Sequence, residues 1–266
     1  MITKKELEKF DKAGYFKIRV LPKKITNQFY DEFAKSIRLI IEREFPNLDS
    51  NININSKEWL VNKGMLFLDK KNHKFLVEIY DQIPRTNIFY NIINYEKIIK
   101  IVNCLLKRNS QNNLYINPAT LRMDIPKKFE YSYGWHRDNN SNIPNSNFIQ
   151  LWCPLINDIN KKIGGLNVLN GSHKYNLNTS STKIEKNKLK KGMVVRPSLK
   201  TKVFKSKDFK EEIITAKVGE IVFFNNSLMH KSGLNFSNEK IRYVLAAFYH
   251  DTTNKEWNFF YQNHKS

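Results

Sequence analysis

At 266 residues, 41% of them hydrophobic, the chain can bury a substantial core in one large domain, which excludes global disorder. Its 45 Lys and Arg against 25 Asp and Glu leave a formal net charge of +20, a field that attracts anions of any kind, although abundant Asn and Ile beside the lysines fit a merely solvated surface equally well. Two distant cysteines, Cys104 and Cys153, exclude a disulfide framework and read as buried free thiols, while a charged start and a densest apolar run of only seven residues (243–249) exclude a signal peptide and a spanning helix, so a cytoplasmic protein without a membrane partner is expected.

In chain order, helices come first. Phe29, Phe33, Ile37 and Ile40/Ile41 recur every three to four residues before Pro46. A shorter helix is expected over 72–83, ended by Pro84, and a third from the stripe Tyr95, Ile98, Ile99, Val102, Leu105, Leu106. From Leu114 the texture changes to short β-branched and aromatic segments: 114–116, 120–125, 148–156, 166–169, 202–204, 211–216, 220–224, 242–249 and 257–261. Gly, Pro, Asn or Ser clusters separate many of them, and the polar stretch 176–191 reads as a mobile loop. Helices followed by strands predict a mainly β fold with a helical buttress, one domain over 1–266 in which a helix-rich 1–110 packs on a β core of about 111–262. The chain carries no P-loop and no GxGxxG, which argues against the usual nucleotide folds.

The chemistry gathers around histidine. In Trp135-His136-Arg137-Asp138, an imidazole and a carboxylate stand two residues apart, so an extended backbone points both to one side. Such a pair alone is weak. His230 follows 92 residues after Asp138, beyond the apolar strand Ile221-Val222-Phe223-Phe224, and Arg242 opens the next apolar strand twelve residues later. Two His and one carboxylate on one face leave three positions open on a metal, the arrangement of non-haem Fe(II) sites that bind a cosubstrate and O2. An arginine nearby suits a carboxylate, which its planar fork holds through two parallel bonds. Of the other histidines, His173 reads as structural or as a support to the site, and His73, His250 and His264 as surface or core.

Here the sequence resembles the phytanoyl-CoA dioxygenase group of 2-oxoglutarate oxygenases. The likeness runs from Phe10-Asp11-Lys12-Ala13-Gly14-Tyr15 through His136-Arg137-Asp138 and Trp152 to Gly164-Gly165-Leu166 and Gly171-Ser172-His173-Lys174. It ends with His230-Lys231-Ser232-Gly233 and Arg242, and departs at Asn170, where the family usually has Pro. The resemblance implies a double-stranded β-helix (a jelly-roll, cupin-like core) and iron on His136, Asp138 and His230. It implies 2-oxoglutarate held at its distal carboxylate by Ser232 and Arg242, with Trp152 as a pocket wall, though a strand tryptophan is more often core. It further implies O2 as oxidant, ascorbate as an in vitro reductant, and hydroxylation of an unactivated C–H with release of succinate and CO2. Related halogenases keep the Asp138 position small, so the carboxylate argues for hydroxylation, with desaturation, ring closure and epimerisation open to the same oxidant.

Arg122 and Arg137 flank the H-x-D turn and are candidate substrate contacts, Arg122 equally a sheet-surface charge. With the lysines at 183, 186, 188, 190 and 191 they suggest a small anionic substrate: phosphorylated, phosphonate-bearing, nucleotide-linked or CoA-linked. Two rivals stand beside this reading. A nucleic-acid repair oxygenase would carry a further Arg where this chain has Phe248, which counts against a nucleic-acid partner. A metabolite- or sugar-binding jelly roll with a vestigial metal site is disfavoured by the intact triad. The sequence says nothing of oligomeric state.

Overall fold

The protein is described from a computed structural model over residues 2–48, 52–108, 114–129, 132–138, 146–175 and 209–253. Helix α1 (Lys4–Ala13) starts at Thr3, whose hydroxyl accepts the Glu6 N–H while the Glu6 carboxylate accepts the Thr3 N–H, so two orphan donors are satisfied reciprocally. It stops at Gly14, which takes a left-handed φ of 86°. Strand β1 (Tyr15–Arg19) follows at once. Helix α2 (Lys23–Glu44) buries Phe29, Phe33, Ile37 and Ile41, the stripe its sequence predicts. Next come α3 (Lys57–Trp59), a π-helical turn (Leu60–Gly64), α4 (Met65–Lys71), α5 (Lys74–Gln82), a 3-10 turn (Ile83–Arg85), α6 (Asn87–Ile93) and α7 (Glu96–Leu105).

Among the described residues seven strands complete the order: β2 (Leu114–Asp124), β3 (Phe148–Pro154), β4 (Leu166–Leu169), β5 (Glu211–Ile214), β6 (Glu220–Asn225), β7 (His230–Ser232) and β8 (Arg242–Asp251). They form two antiparallel sheets, β1-β6-β3-β8-β2 and β5-β4-β7. Alternation sorts the larger sheet's side chains onto two faces. Phe16, Leu151, Cys153, Phe223, Tyr243 and Leu245 join the helices in one core, where Phe33 of α2 meets Tyr243 edge-on at 5.2 Å. Tyr15, Trp152, Val222, Phe224 and Val244 point the other way and pack with Leu166, Val168 and Ile214 of the smaller sheet. The space between the sheets is therefore a second core, and the site opens beside it.

Several sequence expectations change. The architecture is a mixed helix–sheet fold rather than mainly β, because α3 to α6 add helix where a single helix was expected. The predicted strands 114–116 and 120–125 are one strand with an irregularity between Ile116 and Ala119, at Pro118, which has no N–H to give the ladder. The helical half lends β1 to the edge of the larger sheet. Cys153 is buried as expected, but Cys104 is exposed, since α7 turns Ile101, Val102 and Leu105 inward instead. The strands expected at 202–204 and 257–261, the loop 176–191 and His264 lie outside the described residues.

Candidate metal centre

The H-x-D segment lies alongside β7. His136 and His230 exchange both backbone hydrogen bonds, at 2.9 and 3.1 Å, and two residues away the Ser232 N–H donates to the Tyr133 carbonyl while the Tyr133 N–H donates to Ser232 Oγ at 3.3 Å. Main-chain pairing thus holds the two imidazoles side by side, ring centroids 4.2 Å apart. The pleat turns Asp138 to the same side.

Each imidazole is fixed by its other nitrogen. His136 Nδ1–H donates to the Gly134 carbonyl at 2.7 Å, and His230 Nδ1–H to the Leu228 carbonyl at 3.0 Å. A carbonyl only accepts, so Nδ1 carries a proton and each Nε2 is turned inward. The two Nε2 atoms lie 3.7 and 3.4 Å from the Asp138 carboxylate oxygens. One donor atom from each of the three residues falls within 4.8 Å of the others. Burial, then the neighbouring His230, push the His136 imidazole down to about 4, so it is a neutral ligand near pH 7. Burial opposes ionisation of Asp138, but the histidines and Gln150 of β3 outweigh it and hold its carboxyl below the usual range. Two inward-facing ring nitrogens and a carboxylate converging on one point fit a divalent cation. Two imidazoles and one carboxylate suit iron.

Arg242 is less open than its sequence position suggests. In the β2–β8 register it faces Asp124. Its Nε and Nη2 lie 2.9 and 2.8 Å from Asp124 Oδ2, and its Nη1 donates to the carbonyls of Gly164 and Gly233 at 2.5 and 2.7 Å. Those carbonyls are brought together by contacts that only glycine permits: a Cβ on Gly233 would lie 2.2 Å from the Gly165 oxygen. Arg122 takes the other Asp124 oxygen at 3.3 Å and lies over the Tyr133 ring at 4.6 Å, while Tyr133 in turn stands 5.0 Å from His136. Its charge also contributes to lowering His136. The Arg122–Asp124–Arg242 cluster, two guanidinium groups and one carboxylate, is therefore a positive group close to the triad.

The remaining candidates separate. Trp152 is 7% exposed and belongs to the core between the sheets. Arg137 is buried, donating through Nη2 to the carbonyls of Ser172 and Tyr175, and burial pushes its guanidinium down to about 10. It ties the H-x-D turn to the Gly-Ser-His-Lys segment. His173 packs against Gly14, His250 is fully buried, and His73 pairs with Asp69 at 2.7 Å. Phe248 lies against Phe148, ring centroids 5.7 Å apart. Reading the residues one by one missed Asp124 and Gln150; an acid two residues from Arg122 on one strand face was the available signal for the first. The lysines from 183 to 191 fall outside the described residues.

A mixed fold with two facing antiparallel sheets and a two-histidine, one-carboxylate cluster defines the class of mononuclear non-haem iron enzymes. Within that class the chain belongs to the phytanoyl-CoA dioxygenase (PhyH) family, whose model matches residues 10–244. Its cofactors are iron and 2-oxoglutarate. Solved structures share the fold at low identity. The epimerase SnoN, in complex with Fe3+, alpha ketoglutarate and nogalamycin RO, superposes with a TM-score of 0.61 at 14% identity, covering 94% of this chain and 83% of its own. EctD from S. alaskensis, with 2-oxoglutarate and 5-hydroxyectoine, gives 0.62 at 15% identity, covering 95% and 77%. EvdO2 from Micromonospora carbonacea var. aurantiaca gives 0.58 at 13%, covering 94% and 91%. No curated protein matches in sequence. Among the described residues no helix is long and apolar enough to cross a membrane.

Proposed function

We propose that the protein hydroxylates an unactivated C–H of a small, anionic metabolite, with 2-oxoglutarate as cosubstrate, and that iron is held by His136, Asp138 and His230. The convergence of two imidazole nitrogens and a carboxylate oxygen within 4.8 Å carries the reading. The two sheets serve as the halves of a double-stranded β-helix, and 1–266 acts as one oxygenase unit. Ligand-bearing structures of similar fold hold small molecules, nogalamycin RO in SnoN and 5-hydroxyectoine in EctD, which supports a substrate of that size.

Iron supplies activation of O2 for C–H oxidation, coupled to loss of CO2 from 2-oxoglutarate and release of succinate. The chain's own residues do the positioning. Carbonyls 134 and 228 fix both imidazoles in one tautomer, so neither needs to reorient when the metal binds. Ser232, whose hydroxyl accepts the Tyr133 N–H and can still donate, stands with Arg242 to receive the distal carboxylate. Asp124 holds that guanidinium in place and shares it. Arg122, on the Tyr133 side of the cluster, meets the anionic group of the prime substrate. Trp152 and Phe224 close the inter-sheet side of the site against water.

The test is succinate release, scanned across anionic and neutral metabolites with Fe(II), 2-oxoglutarate and ascorbate. Turnover is expected for an anionic substrate and is expected to vanish in His136→Ala, Asp138→Ala and His230→Ala, each of which removes a ligand from a site with no spare among the described residues. Wild-type-like turnover in any of the three variants would falsify the assignment.

A further inference from the structure

The fold displays a second feature besides the triad. Three turns meet there: the one after β2, the one before β4, and the one after β7. Backbone hydrogen bonds fasten them, Lys127 N–H to the Asn235 carbonyl at 2.9 Å and Phe236 N–H to the Lys162 carbonyl at 2.8 Å. The Asn235 side chain braces the junction from inside, donating to the carbonyls of Asp124 and Lys240, and Ser237 donates to its Oδ1. On this rigid base three large apolar side chains face solvent: Phe236 at 54% exposure, Phe129 at 38% and Leu234 at 36%. The two phenyl rings touch, centroids 5.1 Å apart. Burying them in the protein core would have removed that area from water, yet the buried Asn235 and Ser237 beside Phe236 hold it out.

Around this knob the charge has one dominant sign. Lys127, Lys161 and Lys162 are exposed, and among the described residues no ion pair is made by any of them. Lys128 is the exception, paired with Asp69 at 2.5 Å. A second copy of the chain is a poor occupant, because two surfaces of molecules at +20 repel. Aromatic and aliphatic side chains ringed by unpaired lysines instead match a bilayer interface, where rings enter the headgroup layer and lysines meet anionic lipids. We propose that the Phe129–Leu234–Phe236 knob, with Lys127, Lys161 and Lys162, docks the protein peripherally on an anionic lipid surface. The expectation of no membrane partner rested on the lack of a spanning segment, which surface docking does not need.

Co-sedimentation with vesicles tests this on the full-length chain. Vesicles of phosphatidylcholine with phosphatidylglycerol should retain the protein and pure phosphatidylcholine vesicles should not, and added salt should weaken retention. The double variant Phe129→Ser/Phe236→Ser, at exposed positions, should bind the anionic vesicles roughly tenfold more weakly while keeping the wild-type melting temperature and net charge. Lys127→Glu/Lys162→Glu, which lowers the net charge, should weaken binding to the anionic vesicles as well. Absence of binding to anionic vesicles would overturn the proposal. So would equal binding by the Phe variant, which would leave only diffuse charge attraction. A dimer in sedimentation velocity that dissociates in the Phe variant would also overturn it, assigning the knob to a second copy.

Discussion

Arg242 and Asp124 face each other across the β2–β8 ladder as a buried ion pair, 2.8 Å apart, and the same guanidinium clasps the carbonyls of Gly164 and Gly233. One residue thereby joins both sheets. Removing one partner of a buried pair leaves the other charge uncompensated, which costs about 3–5 kcal/mol. Arg242→Ala and Asp124→Ala should therefore both lower the melting temperature of the metal-free protein. Arg242→Lys should recover little, since one ammonium cannot serve a carboxylate and two carbonyls from the same place. If Arg242→Ala melted like wild type while losing 2-oxoglutarate affinity in titration calorimetry, the pair would be a ligand device alone.

How legible this was depends on where the information lies. His136 and Asp138 could be read directly, because a spacing of two along an extended chain fixes their common side. The α2 stripe was equally plain: its period is local and its length ample. The partner of Arg242 was not legible. Asp124 lies 118 residues away, and only the strand register brings them together. The helices from Lys57 to Lys71 escaped because a π-helical turn breaks their period between α3 and α4. There Asn62 Oδ1 accepts the N–H of Ile241, just before Arg242, so the irregularity positions a functional strand. The burial of Arg137 was not legible either, because nothing local shows that the carbonyls of Ser172 and Tyr175 will surround it.

Arg122 separates substrate from cosubstrate binding. Its side chain keeps 21% exposure against 3% for Arg242, and its guanidinium lies on the Tyr133 face near His136. Arg122→Met preserves most of the packing and deletes the charge. A charge-assisted hydrogen bond is worth about 1.5–3 kcal/mol, so KM for an anionic prime substrate should rise about ten- to hundredfold. Turnover of 2-oxoglutarate without prime substrate should stay near wild type. A rise in KM for 2-oxoglutarate instead would reassign Arg122 to the cosubstrate.

Gly14 and His173 explain why two distant segments of the sequence go together. Gly14 sits at φ 86°, and a Cβ there would approach His173 Nδ1 to 2.6 Å, while His173 Nε2 contacts the Asp11 carbonyl at 3.2 Å. Gly14→Ala should destabilise by about 1–2 kcal/mol from the left-handed backbone alone, with the clash added. Adding His173→Ala should return the His173 part of the clash and leave the backbone component together with the 2.8 Å approach to Leu228 Cδ1. Purely additive melting shifts would mean that the ring moves aside freely.

Acid should unfold the metal-free protein earlier than its carboxylates require. His250 is fully buried, accepts the Ser146 hydroxyl at Nδ1 (2.7 Å) and donates from Nε2 to the Asn117 carbonyl (2.8 Å); burial holds its imidazole below the usual 6.5. His136 is pushed further, to about 4. Both groups bind a proton more readily in the unfolded chain. Stability is therefore complete above about 6.5, falls as pH drops through that value, and levels off only below each folded-state pKa. For His136 the span from 6.5 to about 4 corresponds to about 3 kcal/mol. The lowered carboxyls of Asp124 and Asp138 add their own loss at still lower pH. A divalent metal competes with the proton for the same His136 lone pair, so it should shift the fall to lower pH. Melting temperatures taken from pH 7.5 down to 4.5, with and without metal, decide the matter. His250→Gln should remove part of the slope in both series, and His136→Ala should remove part only in the metal-free one. A flat metal-free profile across that range would show that neither imidazole is held neutral by the fold.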